Sequence, residues 1–432
     1  MKIKSPQTLS ELSNIFHEAG SPLYIVGGYI RNSLLGFVET DIDICGPMLY
    51  SKVQELLKTS IFDAQIVNEN LGTLLIRSKI SNDEFEYTTW RRESYSAGGV
   101  HRPEKVEFVA EMKEDALRRD FTCNCIYYDV YKDEIVDLCG GVRDTLDHRL
   151  KTVRLPEYTF ADDGLRILRL ARMSAELDFS IEQECDDAAR DMISQLGDIS
   201  QERFNKEVVS ILFSDYKYES IKNPYSPTRG ISLLSKWGAW GYILQEVTLE
   251  MGLEKVNEKL RQPWVKMLEG SHVIDRITVF TYEILKALGL KNNLENVNKI
   301  LGPNGLVLSR KEILLQTELL QGADILIQGI TEEDNLRLFI QKKYKNITRM
   351  LDFAQILGLQ PYASSIHKLM MLDKVPMNLH DLKINGNDLK EVYPDIPKQK
   401  YSDILQQLLE QCCIMPELNK KSELLKMIGR IK

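Results

Sequence analysis

Nowhere in the 432 residues does an uninterrupted apolar run reach the roughly 18 to 20 residues that cross a bilayer, and the opening MKIKSPQTLS has none of the apolar character of a secretory signal. A cytoplasmic protein with no membrane partner is predicted. Cysteine is sparse and odd in number: seven, at 45, 123, 125, 139, 185, 412 and 413, with no CxxC pair. That argues against a disulfide framework and against a zinc site, and predicts reduced, mostly buried thiols. A positive excess is missing too. The formal net charge of −8 argues against indiscriminate nucleic-acid binding, which needs clustered Lys and Arg. Basic residues cluster only locally, in QKKYKNITR (341–349) and along the last stretch, from Lys398 and Lys400 through Lys420, Lys421, Lys426 and Arg430 to Lys432. Taken alone, such runs read as solvated helix faces. There is no internal repeat and no low-complexity tract.

What is present is an ordinary globular composition, 43% hydrophobic and 27% charged, in a chain long enough for two to four packed units. The first part alternates short β-branched and aromatic runs (PLYIVGG, TDIDIC, TLLIRS, FEYTTW, KVEFVA, CIYYDVY, EIVDL) with two amphipathic helical patterns, near residues 7–19 and 50–58. Beyond Asp162 the strand signals disappear and helical spacing dominates, from DDGLRILRLARMSAEL to YSDILQQLLEQ. Breaks at KNPYSPTRG (222–230), LGPNG (301–305) and LKINGN (382–387) mark joints. The predicted class is α+β, with a mixed α/β head over residues 1–150 followed by helical segments.

In YIVGGYIRNSLLG a strand runs into Gly27-Gly28 and then into a helical pattern. Glycines at a strand end let backbone N–H groups approach a phosphate, and the following helix N-terminus favours the same anion. The next strand, TDIDIC, carries Asp41 and Asp43 two apart, so both carboxylates project from one face while Ile42 and Ile44 turn to the core. Paired carboxylates beside a triphosphate cradle are what divalent-metal-assisted phosphoryl chemistry requires. Either feature alone is common; the combination at this spacing is not.

This stretch resembles the catalytic signature of the DNA polymerase β superfamily, and specifically of the class II tRNA nucleotidyltransferases and bacterial poly(A) polymerases. The resemblance continues in order through RRESYSAGGVHRPEKVEF, EDALRRDFTCNCIYYD, DLCGGVRDTLDHRLKTV, DDGLRILRLARMSAELDF and QERFNKEVVSIL. It implies a head (1–150), a helical neck (151–222), a helical body (223–360) and a helical, tRNA-binding tail (361–432) in an elongated arrangement. It implies Mg²⁺ on Asp41 and Asp43, with CTP and ATP as substrates, the tRNA acceptor and TΨC arms as partner, and no DNA. In the family a Glu-Asp-x-x-Arg motif reads the incoming base, and Asp162, Asp163 and Arg166 match it. Cytosine and adenine each present an amino donor beside a ring-nitrogen acceptor, which a carboxylate plus a guanidinium satisfies; uracil and guanine reverse both polarities. Asp163 and Arg166, three apart, are expected on one helix face, with Arg169 and Arg172 continuing toward the triphosphate. By the same resemblance Gly27, Gly28 and Arg31 bind the nucleotide, and Arg118-Arg119-Asp120 with Asn124 matches the RRDxxxN motif, Arg119 contacting the nucleotide and Asp120 its ribose. A third carboxylate is sought between Glu86 and Glu107.

There are departures from the family pattern. Asn32 stands where an Asp usually follows the Arg, here Arg31. Asp162 replaces Glu, and Pro397-Lys398-Gln399-Lys400 replaces a glycine-bearing turn in the tail. His380-Asp381, the only doublet of the kind that marks a phosphohydrolase domain in some relatives, lies within the tail match. A poly(A) polymerase is disfavoured because IVNENLGTLLI stands where a basic Gly-Arg-Arg-Phe-like stretch is usual. A CC-adding enzyme is disfavoured because RRESYSAGGVHRP, with Gly98-Gly99, is intact. An A-adding enzyme stays open, and a small-molecule nucleotidyltransferase would lack the long helical part.

Overall fold

The computed structural model describes residues 3–37, 41–95, 103–218, 220–221, 223–261, 273–330, 332–359, 366 and 375–431; the side chains at 273–275, 344, 430 and 431 lie outside that description. The chain divides into two compact units, Met1–Val265 with Pro303–Val307, and Lys266–Gly302 with Leu308–Lys432. The class is α+β, with a sheet-containing N-terminal part and a helical remainder.

The head opens with α1 (Gln7–Glu18), β1 (Tyr24–Val26), α2 (Gly28–Leu35), β2 (Asp43–Gly46) and α3 (Tyr50–Leu57). β3 (Phe62–Asn68), β4 (Thr73–Ser78), β5 (Glu84–Thr89), β6 (Arg91–Ser94) and β7 (Lys105–Phe108) follow. Next come α4 (Met112–Leu117), β8 (Ile126–Asp129), β9 (Glu134–Asp137) and α5 (Gly141–Leu146). Seven strands form one sheet in the order β3-β4-β5-β2-β1-β8-β9, antiparallel except where β2 runs parallel to β5. All seven strand runs read from the sequence are present. β3 and β6 are additional: β6 is the charged run RRES, which carries no apolar alternation and is held by pairing with β7.

Strand alternation sorts the central residues onto two faces. Ile25, Ile44, Leu74, Ile76 and Tyr87 pack with Leu9, Leu12 and Phe16 of α1 and Val53 and Leu57 of α3. Tyr24, Val26, Cys45 and Tyr127 pack on the other side with Trp90, Ala116 and Cys125. β1, near the centre, therefore reads as an unbroken apolar run, as a strand covered on both faces does, while β2 opens on exposed Asp43 and is buried from Ile44 onward.

The rest of the first unit is helical: α6 (Pro156–Asp162), α7 (Leu165–Leu177), α8 (Gln183–Asp191), α9 (Gln201–Leu212), α10 (Ser214–Lys217) and α11 (Ser226–Trp237) surround the buried α7, and three shorter helices follow between Trp240 and Leu260. One strand does lie beyond Asp162, against expectation: Ser180–Ile181 runs parallel to Arg149–Leu150. Two residues are too short to leave a periodic signature. Gly230 of α11 sits where a Cβ would stand 2.4 Å from Ile211 Cγ2, so this helix–helix contact needs the glycine that helix propensity disfavours. The indoles of Trp237 and Trp240, both fully buried, donate to Asp186 (2.8 Å) and Ser235 (2.7 Å), leaving neither N–H unmet.

In the second unit, the helices Val273–Leu288, Leu294–Leu301, Arg310–Gln328, Glu333–Lys343 and Ile347–Ile356 are followed by Gly386–Val392, Tyr401–Ile414 and Lys421–Ile431. Leu389, Leu408, Cys412, Leu424 and Ile428 build the last core. The expected joint at LKINGN is a helix start, with Asn385 and Asp388 forming a reciprocal cap. His380-Asp381 has a similar duty: Asp381 accepts from the backbone N–H groups of Met377 (2.9 Å) and Asn378 (3.0 Å), so the doublet is a turn cap. Lys342 and Lys343 are paired with Glu410 and Glu318, which accounts for part of the 341–349 cluster. Among the described residues no helix is long and apolar enough to cross a membrane.

Candidate active site

Gly27 has φ 84 and ψ −141, a conformation that side chains with a Cβ do not tolerate. It lets the chain leave β1 and enter α2 at once. A Cβ there would point at Asp43, 3.8 Å from Oδ2, so the turn lies against the carboxylate. Asp41 and Asp43 are exposed while Ile42 and Ile44 are buried, the alternation read from the sequence. Asp43 begins β2, and Asp41 lies just ahead of the strand.

A cavity of about 460 Å³ opens here. It is lined by Gly27, Gly28, Arg31 and Asp43 from the head, by Arg118, Arg119, Asp120 and Asn124 after α4, and by Asp163, Arg166, Arg169 and Arg172 around α7. Of the residues singled out from the sequence, Asp41, Asp162, Glu86 and Glu107 are not on that wall; the other nucleotide-binding candidates are. The wall also carries Leu165, Met173, Glu176, Arg203, Lys217 and Tyr218. Eight cationic side chains thus face four carboxylates, so a chain of net charge −8 concentrates positive potential where a polyanion would enter.

The cations are held in place by buried acceptors. Asp115, wholly buried, accepts from Arg118 Nε (2.8 Å), Arg119 Nη2 (2.9 Å) and Tyr127 Oη (2.8 Å). Burial opposes its ionisation, but the guanidiniums of Arg119 and Arg118 outweigh that and hold the carboxyl well below the usual 3.8. Asp120 is likewise held low against burial, chiefly by Arg169, whose Nε donates to Oδ2 at 2.9 Å; Asn124 Nδ2 donates to Oδ1 at 3.1 Å. Asn124 passes the network on, accepting from Arg31 Nη1. Arg31 also donates to Asn32 Oδ1 (3.0 and 2.9 Å) and to Tyr218 Oη (3.1 Å). The departure at Asn32 is therefore legible in physical terms: a neutral amide orients the guanidinium without cancelling its charge. Arg172 is held by Glu207 (2.7 Å) and Glu176 (3.0 Å).

One geometric expectation needs correction. Asp163 does not share a helix face with Arg166: α6 ends at Asp162, Asp163 is extended (φ −150, ψ 105), and α7 begins at Leu165. The break lies at Asp163 itself; Gly164 is helical (φ −59, ψ −24), and its backbone packs so closely on Gln195 that a Cβ would stand 2.3 Å from the carbonyl oxygen. The turn still brings both residues to the cavity. Asp163 Oδ1 accepts from Leu165 N (3.1 Å) and Oδ2 faces Arg203 (3.4 Å), while Arg166 donates to the carbonyls of Thr159 (3.1 Å) and Arg118 (2.6 Å). Asp162 pairs with Arg154.

Of the two further carboxylates, Glu86 is the register partner of Asp43 across the parallel β2–β5 pair, whereas Glu107 lies on β7 with Arg92 (2.7 Å) and Lys105. Among the described residues no three His, Cys, Asp or Glu side chains converge on one point. Gly98-Gly99 lie outside the described residues. Arg203, Lys217, Tyr218 and the clamp Asp115 were not singled out from the sequence. Arg203 sits in a stretch already matched to the family, but Lys217 and Tyr218 carry no motif.

Asp115 gives a stability prediction. Removing one partner of a buried pair costs about 3–5 kcal/mol, so Asp115→Asn is expected to lower the melting temperature by several degrees at neutral pH. Because the folded carboxyl titrates below its unfolded value of 3.8, its contribution is complete above that pH and is lost as the pH falls toward the folded value. The gap between wild type and variant, followed by circular dichroism melts, should be full at neutral pH and narrow below 3.8.

Residues 23–151 match the family model described as the poly A polymerase head domain. The chain is similar to the CCA-adding enzyme of Lactococcus lactis subsp. cremoris, 31% identical over 266 residues, a match covering 60% of this chain and 62% of the relative's length. It is 26% identical to the CCA-adding enzyme of Enterococcus faecalis over 426 residues, covering 97% of this chain and 95% of that one. Its fold matches the Bacillus stearothermophilus CCA-adding enzyme in complex with CTP at a TM-score of 0.76, with 21% identity and 99% of each chain covered. The Thermotoga maritima CCA-adding enzyme complexed with tRNA_CCA aligns at 0.64, with 20% identity, covering 100% of this chain and 97% of that one.

Proposed function

We propose that this chain belongs with the CCA-adding enzymes it resembles and adds CMP and AMP to the 3′ end of tRNA from CTP and ATP, releasing pyrophosphate. The observation that carries the reading is that one cavity joins the Gly27-Gly28 turn and Asp43 to Asp163 and Arg166, three elements that make sense together only around a nucleoside triphosphate. A volume of about 460 Å³ suits one nucleotide.

In this reading the tRNA 3′-hydroxyl oxygen attacks the α-phosphorus, the bond to the β-bridging oxygen breaks, and pyrophosphate leaves. Asp41 and Asp43, both exposed, offer the hard oxygen donors Mg²⁺ prefers. Asp41 and Asp43 would hold it, Glu86 being placed to assist Asp43. When bound it lowers the pKa of the attacking hydroxyl and offsets charge on the leaving group. The chain's own groups position: the Gly27 and Gly28 backbone and Arg31 meet the triphosphate, and Arg119 meets the nucleotide. Asp120 and Asn124 orient the ribose, the 2′-hydroxyl sharing Asp120 with Arg169. Asp163 and Arg166 read the base, while Arg169 and Arg172 keep positive charge beside the phosphates. The division into head (1–150), neck (151–222), body (223–360) and tail (361–432) is carried as part of this proposal, the helical segments gripping the acceptor and TΨC arms by backbone and shape. A substrate of this kind places the protein in the cytoplasm.

Purified protein with Mg²⁺ is expected to extend tRNA transcripts ending at the discriminator base by C, C and A, and then stop. Product sequencing with CTP alone, ATP alone and both decides this. A long A tail, or addition of A alone to every transcript, refutes it.

A further inference from the structure

Cys125 Sγ and Cys139 Sγ lie 3.5 Å apart. Cys125 immediately precedes β8 and Cys139 follows β9 by two residues; with Ile126 opposite Asp137 in the antiparallel pair, the two cysteines sit diagonally across the end of the same ladder. Cys125 is fully buried and Cys139 partly exposed. We propose that Cys125 and Cys139 form a dithiol oxidation site that a peroxide closes to a disulfide, and that closure pulls Asn124 out of register in the cavity.

The step balances. The Cys139 thiol gives up its proton and its sulfur attacks one peroxide oxygen, the O–O bond breaks, and the departing hydroxide takes up that proton, leaving a sulfenic acid and one water. Cys125 sulfur then attacks Cys139 sulfur, the S–O bond breaks, and the second water leaves with the Cys125 proton. Two thiols lose two electrons and two protons, and one peroxide becomes two waters. The order of attack follows the environment. Cys139 is partly exposed and meets the peroxide first, whereas Cys125 is fully buried and can attack only the neighbouring sulfur.

Closing from 3.5 Å to the ~2.05 Å of a disulfide needs an approach of about 1.5 Å. The backbone on both sides is tied in. Cys125 N donates to Thr122 O (2.9 Å) in the turn that carries Asn124, and its thiol donates to Ala116 O (3.6 Å), three residues before Arg119. On the other side Cys139 N donates to Asp137 Oδ1 (3.2 Å), and the backbone at Gly141 packs so tightly that a Cβ would stand 2.1 Å from Thr122 O. Movement at the sulfurs is therefore delivered to the Thr122–Asn124 turn, where Asn124 links Arg31 to Asp120. The coupling to the cavity rests on the proposed function; the crosslink does not.

The test uses the full chain treated with hydrogen peroxide, its free thiols then blocked and its peptides mapped by mass spectrometry without reduction. The expected result is one crosslinked pair, Cys125 with Cys139, two hydrogens lighter and released by dithiothreitol. Calorimetry should show CTP affinity falling about ten- to a hundredfold on oxidation, the scale of an ångström-level misplacement, and returning on reduction. Cys139→Ser should bind CTP equally with and without peroxide. Recovery of Cys125 as a blocked free thiol, with Cys139 either free or overoxidised, overturns the site. A crosslink that leaves CTP affinity unchanged overturns the coupling. Reduced protein that never binds CTP refutes the functional reading, and the peptide map still decides the crosslink.

Discussion

Asp43→Ala, alone or with Asp41→Ala, is expected to lower nucleotide incorporation by at least about 10³-fold, because a metal clamp contributes several kcal/mol to the transition state and each ~1.4 kcal/mol is a factor of ten. The protein itself should be unharmed. Both side chains are exposed, so their truncation opens no cavity, and exposed substitutions stay within about 0.5 kcal/mol. Single-turnover incorporation with CTP, paired with thermal melts, separates the two effects. The flanking carboxylates provide a gradient. Glu86→Ala, opposite Asp43 on the neighbouring strand, is expected to reduce the rate less than Asp43→Ala but clearly. Glu107→Ala, which breaks only an exposed pairing with Arg92 and Lys105, should stay within about twofold. Activity persisting in the double aspartate variant would remove Asp41 and Asp43 from the mechanism.

Why the exposure of that pair was legible in the sequence, while the contacts around it were not, comes down to the range of the forces involved. The alternation that exposes Asp41 and Asp43 and buries Ile42 and Ile44 is a two-residue period, and the left-handed turn at Gly27 is a property of one residue. Both are written locally. The acceptors that fix the arginines are not. Asp115 is three and four residues from Arg118 and Arg119 and was readable in principle, but its complete burial follows from Tyr127 and the sheet beneath. Glu207 meets Arg172 from 35 residues away, and Tyr218 reaches Arg31 across 187. Such contacts exist only once α7, α9 and the segment after α10 are packed. The misplaced helix start at Asp163 is no more local: the periodicity of DDGLRILRLARM runs on through Asp163, whose backbone is nevertheless extended between α6 and α7. The strand β6 was hidden for the opposite reason, its charges masking an extended run that pairing alone sustains.

That break at Asp163 bears on base choice. With Asp163 extended ahead of the helix and Arg166 in its first turn, the two side chains reach the cavity from different backbone directions, and they can be tested separately. Asp163→Ala is expected to reduce kcat/KM for CTP and ATP while leaving UTP and GTP little changed, collapsing discrimination by about 10²-fold, given roughly 1–3 kcal/mol per mismatched contact. The variant also loses the acceptor for Leu165 N, a capping bond of about 1 kcal/mol, but that loss is the same for all four nucleotides and cancels in the ratio. Asp163→Asn keeps an acceptor there and adds a donor, so it should admit uracil, whose O4 accepts where cytosine's N4 donates. Arg166 is a harsher test, since its guanidinium also holds the carbonyls of Thr159 and Arg118, and Arg166→Ala should lower melting temperature as well as selectivity. Arg172→Ala supplies the contrast. Its partners are Glu176 and Glu207, and its proposed role is toward phosphate, which every nucleotide shares, so all four kcat/KM values should fall together. Measuring the four triphosphates on one tRNA transcript with these variants distinguishes a base-reading carboxylate from a positioning one. If Asp163→Ala lowers all four in parallel, as Arg172→Ala is expected to, Asp163 does not read the base.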